Sequence, residues 1–385
     1  MKNSLKIMVV GDWHSELHEA SVYQAFQKLG HEVSKFGWQD YFKSDKGAFD
    51  KLNKRIQNRF LIGPIIWKLN QDLVKAATEC APDVLFVYRG THITAATLKK
   101  IKKRLPTVTL VGYNNDDPFA KGHPYSLWRT FFKAVPVYDL MLAYRHHNVD
   151  DFLRIGAQRA ELLRSWYFPE RNHPVVLAAE DKPKYECDVV FIGHHEADDR
   201  KQYLEEVVRQ GFKLRLFGPG YDWDPILKDS PELQSQIPVR LMWGEDYNKA
   251  LCGAKVVLCF LSKLNRDTYT RRCFEIPATG TLMLSEYTDD LASLYKPGEE
   301  ADFFKSKDEL IEKLRLYIEN DELRQTVAAN GYRRVTGDGH DVVSRMRQVI
   351  GWCDEINSKM VLQMIEATSA EIHSSLFTHT QEKQP

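Results

Sequence analysis

The stretch Asp267-Thr-Tyr-Thr-Arg-Arg-Cys-Phe-Glu-Ile-Pro-Ala-Thr-Gly-Thr-Leu-Met-Leu-Ser-Glu286 joins a charged loop, a short apolar segment and a buried strand. The apolar segment predicts a helix that begins near Arg271 and Arg272 and ends at Gly280. Free backbone amides and the positive end of the dipole attract anions where a helix begins. Glu275 falls one turn further along the same face, where it can accept hydrogen bonds from hydroxyls. A sugar nucleotide requires cations that bind its phosphates and, beside them, an acceptor for its hydroxyl groups.

Length and composition predict a globular protein of two domains. The chain has 385 residues, of which 43% are hydrophobic and 28% charged. Lys+Arg and Asp+Glu both count 53, so no overall basic field would recruit nucleic acid or an anionic membrane. The six cysteines show no Cys-x-x-Cys spacing. This argues against a zinc cage or a disulfide framework and for a reducing compartment.

The N-terminal segment Met1-Lys-Asn-Ser-Leu-Lys6 leads directly into an apolar run, and no long apolar stretch follows. We therefore expect no signal peptide and no transmembrane helix. A cytoplasmic location is the corresponding expectation, and a peripheral membrane contact is left open.

Short apolar runs alternate with helical patterns along both halves of the chain, which predicts doubly wound parallel sheets. In the first half the predicted strands are 5–10, 31–36, 82–88, 107–113 and 138–143, with helices at 19–29, within 45–80 and at 95–104. In the second half the predicted strands are 187–192, 213–217, 239–242, 256–260 and 281–284, with helices at 200–209, 247–251, 307–318 and 322–335.

The segment 168–186 contains three prolines and mixed charge, which indicates a linker between the two halves. The predicted organisation is therefore an N-terminal domain at 1–170, a linker at 171–186, a C-terminal domain at 187–340, and a C-terminal helix with a polar tail at 341–385.

The pattern Arg272-x-Phe274-Glu275-x-x-Ala278-x-Gly280, an apolar strand and Tyr295-x-Pro297-Gly298-x-Glu300 resembles the C-terminal signature of CgeB-like glycosyltransferases. These belong to the GT-B superfamily, near its family-four group. The resemblance implies two Rossmann-like domains that face a cleft, with a C-terminal helix crossing back to the first domain. It also implies an acceptor site in the first domain and a nucleotide-sugar site in the second.

Family-four enzymes carry a Glu-x7-Glu pair, with the second glutamate on the nucleotide ribose and the first near the donor sugar. The resemblance places Glu275 on the ribose and Asp267, eight residues upstream, near the sugar. The glycine-rich segment usual between them is replaced here by residues that include Thr270, Arg271 and Arg272. These three are candidate contacts to the donor.

Ligands bind beyond the carboxyl ends of strands in open parallel sheets, so the residues that follow each strand matter most. After the first strand, Gly11 permits close backbone approach and His14 is a candidate contact to sugar or phosphate.

Asn114-Asn-Asp-Asp-Pro-Phe119 suits sugar hydroxyls, and CgeB-like proteins commonly have Asp-Asp-Pro at this place. We predict Asp116 or Asp117 as the catalytic carboxylate, which would be the general base if the enzyme inverts. An Asx-turn with a helix cap is the alternative.

Gly193-His194-His195 follows the first strand of the second half, and Arg200 and Lys201 begin the next helix. In family-four enzymes a glycine–arginine pair and a later lysine bind the donor pyrophosphate. Here His194 takes the arginine's place, and Arg200 or Lys201 would supply the charge. A solvated helix start is the other explanation for these two basic residues. The histidine pair lacks further ligands at metal spacing, so no metal site is expected.

Met242 and Trp243 correspond to the segment whose backbone holds the base in family-four enzymes, and Trp243 is a candidate stacking partner or a core residue.

Gly218-Pro-Gly220 lacks the third glycine and the ribose acid of a dinucleotide fingerprint. No cofactor is therefore expected, and an NAD-dependent epimerase or dehydrogenase is disfavoured.

The sequence thus predicts a metal-independent, hexosyltransferase-like enzyme. It would move a sugar from a nucleotide-diphosphate donor, such as a UDP- or GDP-sugar, to a hydroxyl of a glycan, protein or lipid-linked acceptor. The family-four likeness favours retention of configuration. The alternative is a non-catalytic nucleotide- or sugar-binding protein of cell-surface or spore-coat assembly, which Asp267 in place of glutamate and the missing glycines favour.

Overall fold

The computed structural model describes residues 4–43 and 47–381, with the helical backbone alone at 361 and 363–381. The first three residues of the predicted leaderless N-terminus, the first two of the 45–80 helical region and the last four of the polar tail lie outside the described residues. The chain forms two compact units. The first ends at Arg164 and resumes at Arg345, and the second is Ser165–Ser344. The segment predicted as the linker, 171–186, lies inside the second unit.

The first unit is built on six parallel strands. They are β1 (Lys6–Gly11), β2 (Glu32–Gly37), β3 (Val84–Tyr88), β4 (Thr109–Asn114), β5 (Leu140–Ala143) and β6 (Ala160–Leu162). The sheet order is β2-β1-β3-β4-β5-β6. The helices are α1 (Glu19–Lys28), α2 (Ala48–Phe60), α3 (Pro64–Cys80), α4 (Ala95–Arg104), α5 (Tyr125–Ala134) and α6 (His146–Arg154), with 3-10 turns at Gln39–Phe42 and Val135–Val137.

The second unit has five parallel strands. They are β7 (Cys187–Ile192), β8 (Leu214–Phe217), β9 (Ala254–Cys259), β10 (Leu282–Glu286) and β11 (Asp302–Phe304), in the order β11-β10-β9-β7-β8. The helices are α7 (Lys182–Tyr185), α8 (Arg200–Arg209), α9 (Gly220–Leu227), α10 (Gly244–Cys252), α11 (Arg272–Ala278), α12 (Asp289–Leu294), α13 (Lys307–Glu319) and α14 (Asp321–Gly337), with a 3-10 turn at Gln234–Gln236.

The apolar runs become strands because helices cover both faces of each sheet. A parallel strand in that position needs apolar side chains at every residue rather than at alternate ones. All five residues of β3 and all six of β4 are buried accordingly. Side-chain caps mark where several helices begin, since Thr94, Ser306 and Asn320 each accept a hydrogen bond from the amide three residues on.

The last helix, α15 (Val342–Gln381), belongs to the first unit from Arg345 onward. Within that unit Thr109 Oγ1 donates to Asn357 Oδ1 at 2.8 Å, and Arg159 pairs with Glu355 at 2.8 Å. The expectation that the terminal helix returns to the first domain is confirmed. None of the helices in the described ranges has the length and hydropathy of a membrane span.

One predicted strand is wrong. Residues 239–242 form no strand, because Val239 N donates to the side chain of Asp224 at 2.9 Å and only Arg240 O bonds to the main chain of Gly218, at 3.0 Å. Pro238 removes a further donor from the segment. Two three-residue edge strands, β6 and β11, were not predicted, since so few residues carry little periodicity.

Candidate functional site

The strand order of the second unit defines its crevice. The chain leaves β7 for β8 on one side and later returns to β9 on the other, so the crevice opens where the ends of β7 and β9 diverge. Gly193 follows β7 there. Its amide donates to Phe217 O at 2.9 Å and its carbonyl accepts from Trp223 Nε1 at 2.8 Å. The backbone at this edge is therefore held by the β8 side of the sheet.

Arg272 lies directly beside Gly193. A Cβ added to that glycine would come within 3.4 Å of Arg272 Nη1 and 2.8 Å of the Phe191 ring. Arg272 is partly buried, yet its Nε has no hydrogen-bond partner and the side chain no ion pair with a carboxylate in the described part of the chain. A shielded guanidinium that forms no ion pair with a carboxylate is costly, so this side chain is suited to hold an anionic ligand.

Several neighbouring groups set the electrostatics around Arg272. Burial lowers the pKa of the guanidinium, but the negative forms of Cys259, Tyr247 and Glu275 raise it, and the net shift is upward. The thiols of Cys259 and Cys273 lie 3.7 Å apart and are both buried. A hydrogen bond from Cys273 lowers the pKa of Cys259, as does the Arg272 charge, against the effect of burial. Arg272 therefore stays cationic in its shielded position.

Glu275 lies one turn after Arg272 on α11 and is 6% exposed. Its Oε2 accepts a hydrogen bond of 2.7 Å from the hydroxyl of Tyr247 on α10. Burial raises the pKa of Tyr247 well above its usual value, and the charge of Glu275 raises it further. Oε1 makes no hydrogen bond to any described residue, which leaves one carboxylate oxygen for a ligand hydroxyl. Tyr247 was not predicted, because no local pattern links it to Glu275.

The other predicted donor contacts lie in the loop before α11. Arg271 places its guanidinium over the Phe168 ring, 5.9 Å from the centroid. Thr270 N donates to Cys273 Sγ at 3.5 Å, and Asp267 N donates to Ser262 O at 2.8 Å. Two amides of the loop are thus bonded within the unit, and Arg272 is the residue of this set whose contact with Gly193 the structure shows.

The predicted pyrophosphate contacts after β7 have protein partners. His194 is exposed, with Nδ1 2.7 Å from Asp222 Oδ2. Arg200 is buried and donates to both oxygens of Asp198, at 2.7 and 2.6 Å, and to His194 O at 2.7 Å. Lys201 pairs with Glu205 at 2.9 Å. Arg200 therefore fixes the loop that carries His194, and the carboxylate of Asp198 neutralises its charge.

Met242 and Trp243 differ in exposure. Met242 is buried, whereas Trp243 is 63% exposed immediately before α10, the helix that carries Tyr247. The indole face of Trp243 is therefore open to a stacking ligand, and Met242 offers only its backbone.

A cavity of about 830 Å³ opens at the opposite edge of the same sheet, where β7, β9 and β10 begin. Cys187, Ala254 and Leu282, the first residues of those strands, are in its lining. It is therefore separate from the edge that carries Gly193 and Arg272.

In the first unit the corresponding crevice lies where β1 and β3 diverge. A Cβ on Gly11 would come within 2.3 Å of Glu19 Cγ, so glycine is required there. Glu19 accepts from Asp12 N at 2.9 Å, and burial raises the pKa of its carboxyl. His14 is exposed, with Nδ1 3.0 Å from Asp12 Oδ2. Glu19, which the sequence did not single out, thus shapes the loop that presents His14.

The two predicted catalytic carboxylates occupy different environments. Asp117 is fully buried and accepts hydrogen bonds from Phe119 N at 3.1 Å and Asn148 Nδ2 at 2.9 Å. Asp116 is partly exposed and forms an ion pair with Arg89. Asp117 is therefore enclosed by its own loop and α6, whereas the carboxylate of Asp116 reaches solvent. Which of the two is the catalytic carboxylate stays a prediction.

No group of three or more His, Cys, Asp or Glu side chains among residues 4–43 and 47–381 is arranged to hold a metal ion. The paired His194 and His195 diverge, since His194 contacts Asp222 and His195 packs edge-on against Trp223 at 5.1 Å.

Comparisons with known proteins agree with this architecture. Residues 200–351 match the family model described as "Glycosyl transferase-like". No curated protein matches the chain. HepE from Anabaena, solved with UDP-glucose, superimposes with a TM-score of 0.64 at 13% identity, over 91% of this chain and 100% of that one.

A glycosyltransferase from Rickettsia africae gives a TM-score of 0.67 at 10% identity, over 92% of this chain and 99% of that one. Sucrose-phosphate synthase from Thermosynechococcus elongatus gives 0.60 at 12%, over 94% and 100%. These likenesses establish the fold as GT-B, with two parallel-sheet α/β units, and confirm the predicted fold class.

Proposed function

We propose that this protein is a nucleotide-sugar-dependent glycosyltransferase whose second unit binds the donor. The observation that carries the proposal is Arg272, a shielded arginine that lies beside Gly193 at the sheet's crevice and forms no ion pair with a described carboxylate. Glu275 adds an open carboxylate oxygen one turn away. This pair supplies a cation for the diphosphate and an acceptor for a ribose hydroxyl.

The chemical task of such an enzyme is to stabilise the departing diphosphate. As the bond from the anomeric carbon to the phosphate oxygen breaks, negative charge grows on that oxygen. A cation already in place stabilises that charge without reorganisation. Arg272 takes this role in the proposal, and the exposed His194 is the second candidate on the same edge.

A UDP-sugar is the proposed donor, because HepE was solved with UDP and with UDP-glucose. Trp243 is the candidate to stack on the base, and the main chain at Met242 the candidate to bind its edge. The agreement of Arg272 and Glu275 with the pattern of CgeB-like proteins supports placing the chain near that group, with a hexosyl donor and retention of configuration.

On the acceptor side we assign Asp116 the contact with the acceptor hydroxyl and Asp117 a positioning role. Asp116 is the accessible carboxylate, and Arg89 holds it in place. In a retaining reaction this carboxylate orients the acceptor and need not act as a strong base.

A non-catalytic binding protein is the second candidate. It is favoured by the loop that replaces the usual glycines, whose Asp267 and Thr270 amides are already bonded within the unit. Such a protein would bind the nucleotide without releasing the sugar.

The test combines binding and turnover on the full chain. Calorimetry with UDP, GDP, ADP and NAD identifies the nucleotide, and release of UDP from a panel of UDP-sugars measures turnover. We expect UDP to bind, with release of UDP unaffected by a metal chelator, and NMR of the product to show a retained anomeric configuration. Binding without turnover would establish the second candidate. Absence of nucleotide binding, or binding of NAD alone, would overturn both.

A further inference from the structure

Helix α2 turns its apolar residues toward solvent. Phe49, Leu52, Ile56 and Phe60 are 84, 55, 46 and 47% exposed, and their spacing of three to four residues keeps them on one stripe. Ile62, just beyond the helix, and Trp67, in the first turn of α3, are 52 and 65% exposed. We call these six side chains the α2 apolar surface.

The polar face of α2 is the one that contacts the rest of the unit. Gln57 is buried, and its Oε1 accepts from Ile65 N at 2.9 Å. Asn58 Oδ1 lies 2.7 Å from His92 Nε2. Arg129 Nη2 donates to Phe60 O at 3.1 Å. These contacts fix the rotation of the helix about its axis, and they thereby hold the apolar stripe toward solvent.

Cations border the stripe. At 100° per residue, Arg59 falls next to Leu52 on the helix surface, and Arg55 and Lys51 follow along the same border. All three are exposed, and none forms an ion pair within the ranges that the structure describes. The chain as a whole has no net charge, so this basic border is a local concentration that the overall composition does not reveal.

The positive charge along the border distinguishes between two possible partners of the α2 apolar surface, a second copy of the chain and a lipid bilayer. A second copy placed on the surface by a two-fold axis would present the same side chains, which include three cations and no carboxylate to pair with them. An anionic bilayer meets both parts of the surface, because the apolar side chains enter the headgroup–acyl boundary while the cations meet lipid phosphates. We propose that the α2 apolar surface docks on an anionic lipid bilayer, with α2 lying in the plane of the interface.

The contact of Asn58 with His92 gives this docking a consequence for the acceptor. His92 lies in the segment after β3, and the same segment carries Arg89, the partner of Asp116. A bilayer under α2 would bring membrane-borne molecules to this edge of the first unit. The chemical class of acceptor that follows is a lipid-linked hydroxyl. This assignment of the acceptor rests on the proposed function, whereas the docking itself does not.

The test is co-sedimentation of the full chain with vesicles of phosphatidylcholine, with and without phosphatidylglycerol. We expect binding to the anionic vesicles only, weakened by added salt because surface charges are screened. The double variant Arg55→Gln/Arg59→Gln should bind about 30-fold more weakly, at about 1 kcal/mol for each basic residue near the membrane surface. Leu52→Asp/Ile56→Asp should abolish binding.

Matched controls separate the surface from general effects. Val176→Asp changes an apolar side chain that is 99% exposed in the second unit, and Lys228→Gln removes an exposed cation there. Both should sediment like the parent. The altered α2 side chains are exposed, so all variants should keep the parent's melting temperature and its affinity for UDP.

Three results would overturn the proposal. One is equal binding to neutral and anionic vesicles, and another is unchanged sedimentation of Leu52→Asp/Ile56→Asp. The third is a parent that does not sediment with anionic vesicles. If that parent also dimerises in the ultracentrifuge through a contact that the same double variant removes, the surface belongs to a second copy. Because UDP binding is measured on every variant, failure of membrane docking is distinguished from failure of the proposed function.

Discussion

Tyr247 donates a hydrogen bond of 2.7 Å to Oε2 of Glu275, and the two residues are 28 positions apart on different helices. The bond engages one oxygen of the carboxylate and leaves Oε1 without a described partner. Glu275 can therefore be held still by the protein and offer a free acceptor to a ligand at the same time.

Removal of this hydroxyl should weaken UDP binding without abolishing it. In Tyr247→Phe the carboxylate keeps its place on α11 but loses its donor, and a hydrogen bond to a charged group contributes about 1.5–3 kcal/mol to stability. We expect a lower melting temperature and a loss of UDP affinity of about 2- to 10-fold, corresponding to about 0.5–1.5 kcal/mol. Free pyrophosphate is the control ligand in calorimetry, since it lacks the ribose. Equal weakening for both ligands would give Glu275 a purely structural role.

Arg272→Ala should cost about 10- to 150-fold in UDP affinity, because a charge-assisted contact to phosphate contributes about 1.5–3 kcal/mol. The melting temperature of the free protein should not fall, since the arginine has no ion pair to lose among the described residues. Arg315→Ala, an exposed arginine on α13, is the matched control. Unchanged calorimetric titration of Arg272→Ala with UDP would move the diphosphate site elsewhere.

Substitution of Asp117 should mainly lower stability, whereas substitution of Asp116 should mainly lower activity. Asp117→Ala removes a buried carboxylate that accepts from Phe119 N and Asn148 Nδ2, so we expect a loss of about 3 kcal/mol in the free energy of unfolding. Asp116→Ala should change stability by less than about 1 kcal/mol and lower kcat/KM about 10- to 150-fold, chiefly through the acceptor KM.

Urea unfolding and steady-state kinetics on both variants measure the two effects. The assignment is contradicted if Asp116→Ala unfolds as easily as Asp117→Ala, or if it retains full activity.

His92 should make the protein less stable in acid. Burial lowers the pKa of this histidine from 6.5 to about 4, and the positive charge of Arg89 adds to the effect. The folded protein therefore keeps a neutral imidazole where the unfolded chain takes up a proton, so stability falls as the pH drops from about 6.5 towards 4. Between pH 7 and pH 5 the loss from this group is about 2 kcal/mol.

The measurement is urea unfolding of the parent and of His92→Gln at the two pH values. The variant should lose less stability on acidification by about that amount. An identical pH dependence in the two proteins would show that His92 is not buried in its neutral form.

Gly218→Ala should disturb the crevice of the second unit. An added Cβ would lie 2.2 Å from the carbonyl oxygen of Gly193 and 2.9 Å from Trp223 Nε1, so the backbone must shift. We expect a loss of about 1–3 kcal/mol in stability, as for other overpacked sites, together with weaker UDP binding because Gly193 moves. Gly351→Ala is the control, since nothing lies near its Cβ position in α15 and alanine there should stabilise the helix by about 0.5–1 kcal/mol. Calorimetry and thermal unfolding distinguish the two glycines.

The sequence by itself determined many of the strands and helices of the fold. Helices α4 and α8 have the bounds that their periodicity predicts, and β7 coincides with its apolar run. Gly280 follows the end of α11 with a φ of +71°, the left-handed conformation that glycine adopts most readily. These features depend on neighbouring residues only, so a local pattern is sufficient to find them.

Tertiary structure alone decided which side chains share a site. The order of the strands brings Arg272 to Gly193 and Tyr247 to Glu275, and the enclosure of Asp117 by α6 distinguishes it from Asp116. The exposure of the apolar stripe on α2 likewise depends on contacts with residues elsewhere in the unit. An amphipathic pattern predicts that a helix has an apolar and a polar face, but it does not predict which face packs against the core. Contacts between residues distant in sequence are set by sheet topology and packing, and no local periodicity encodes them.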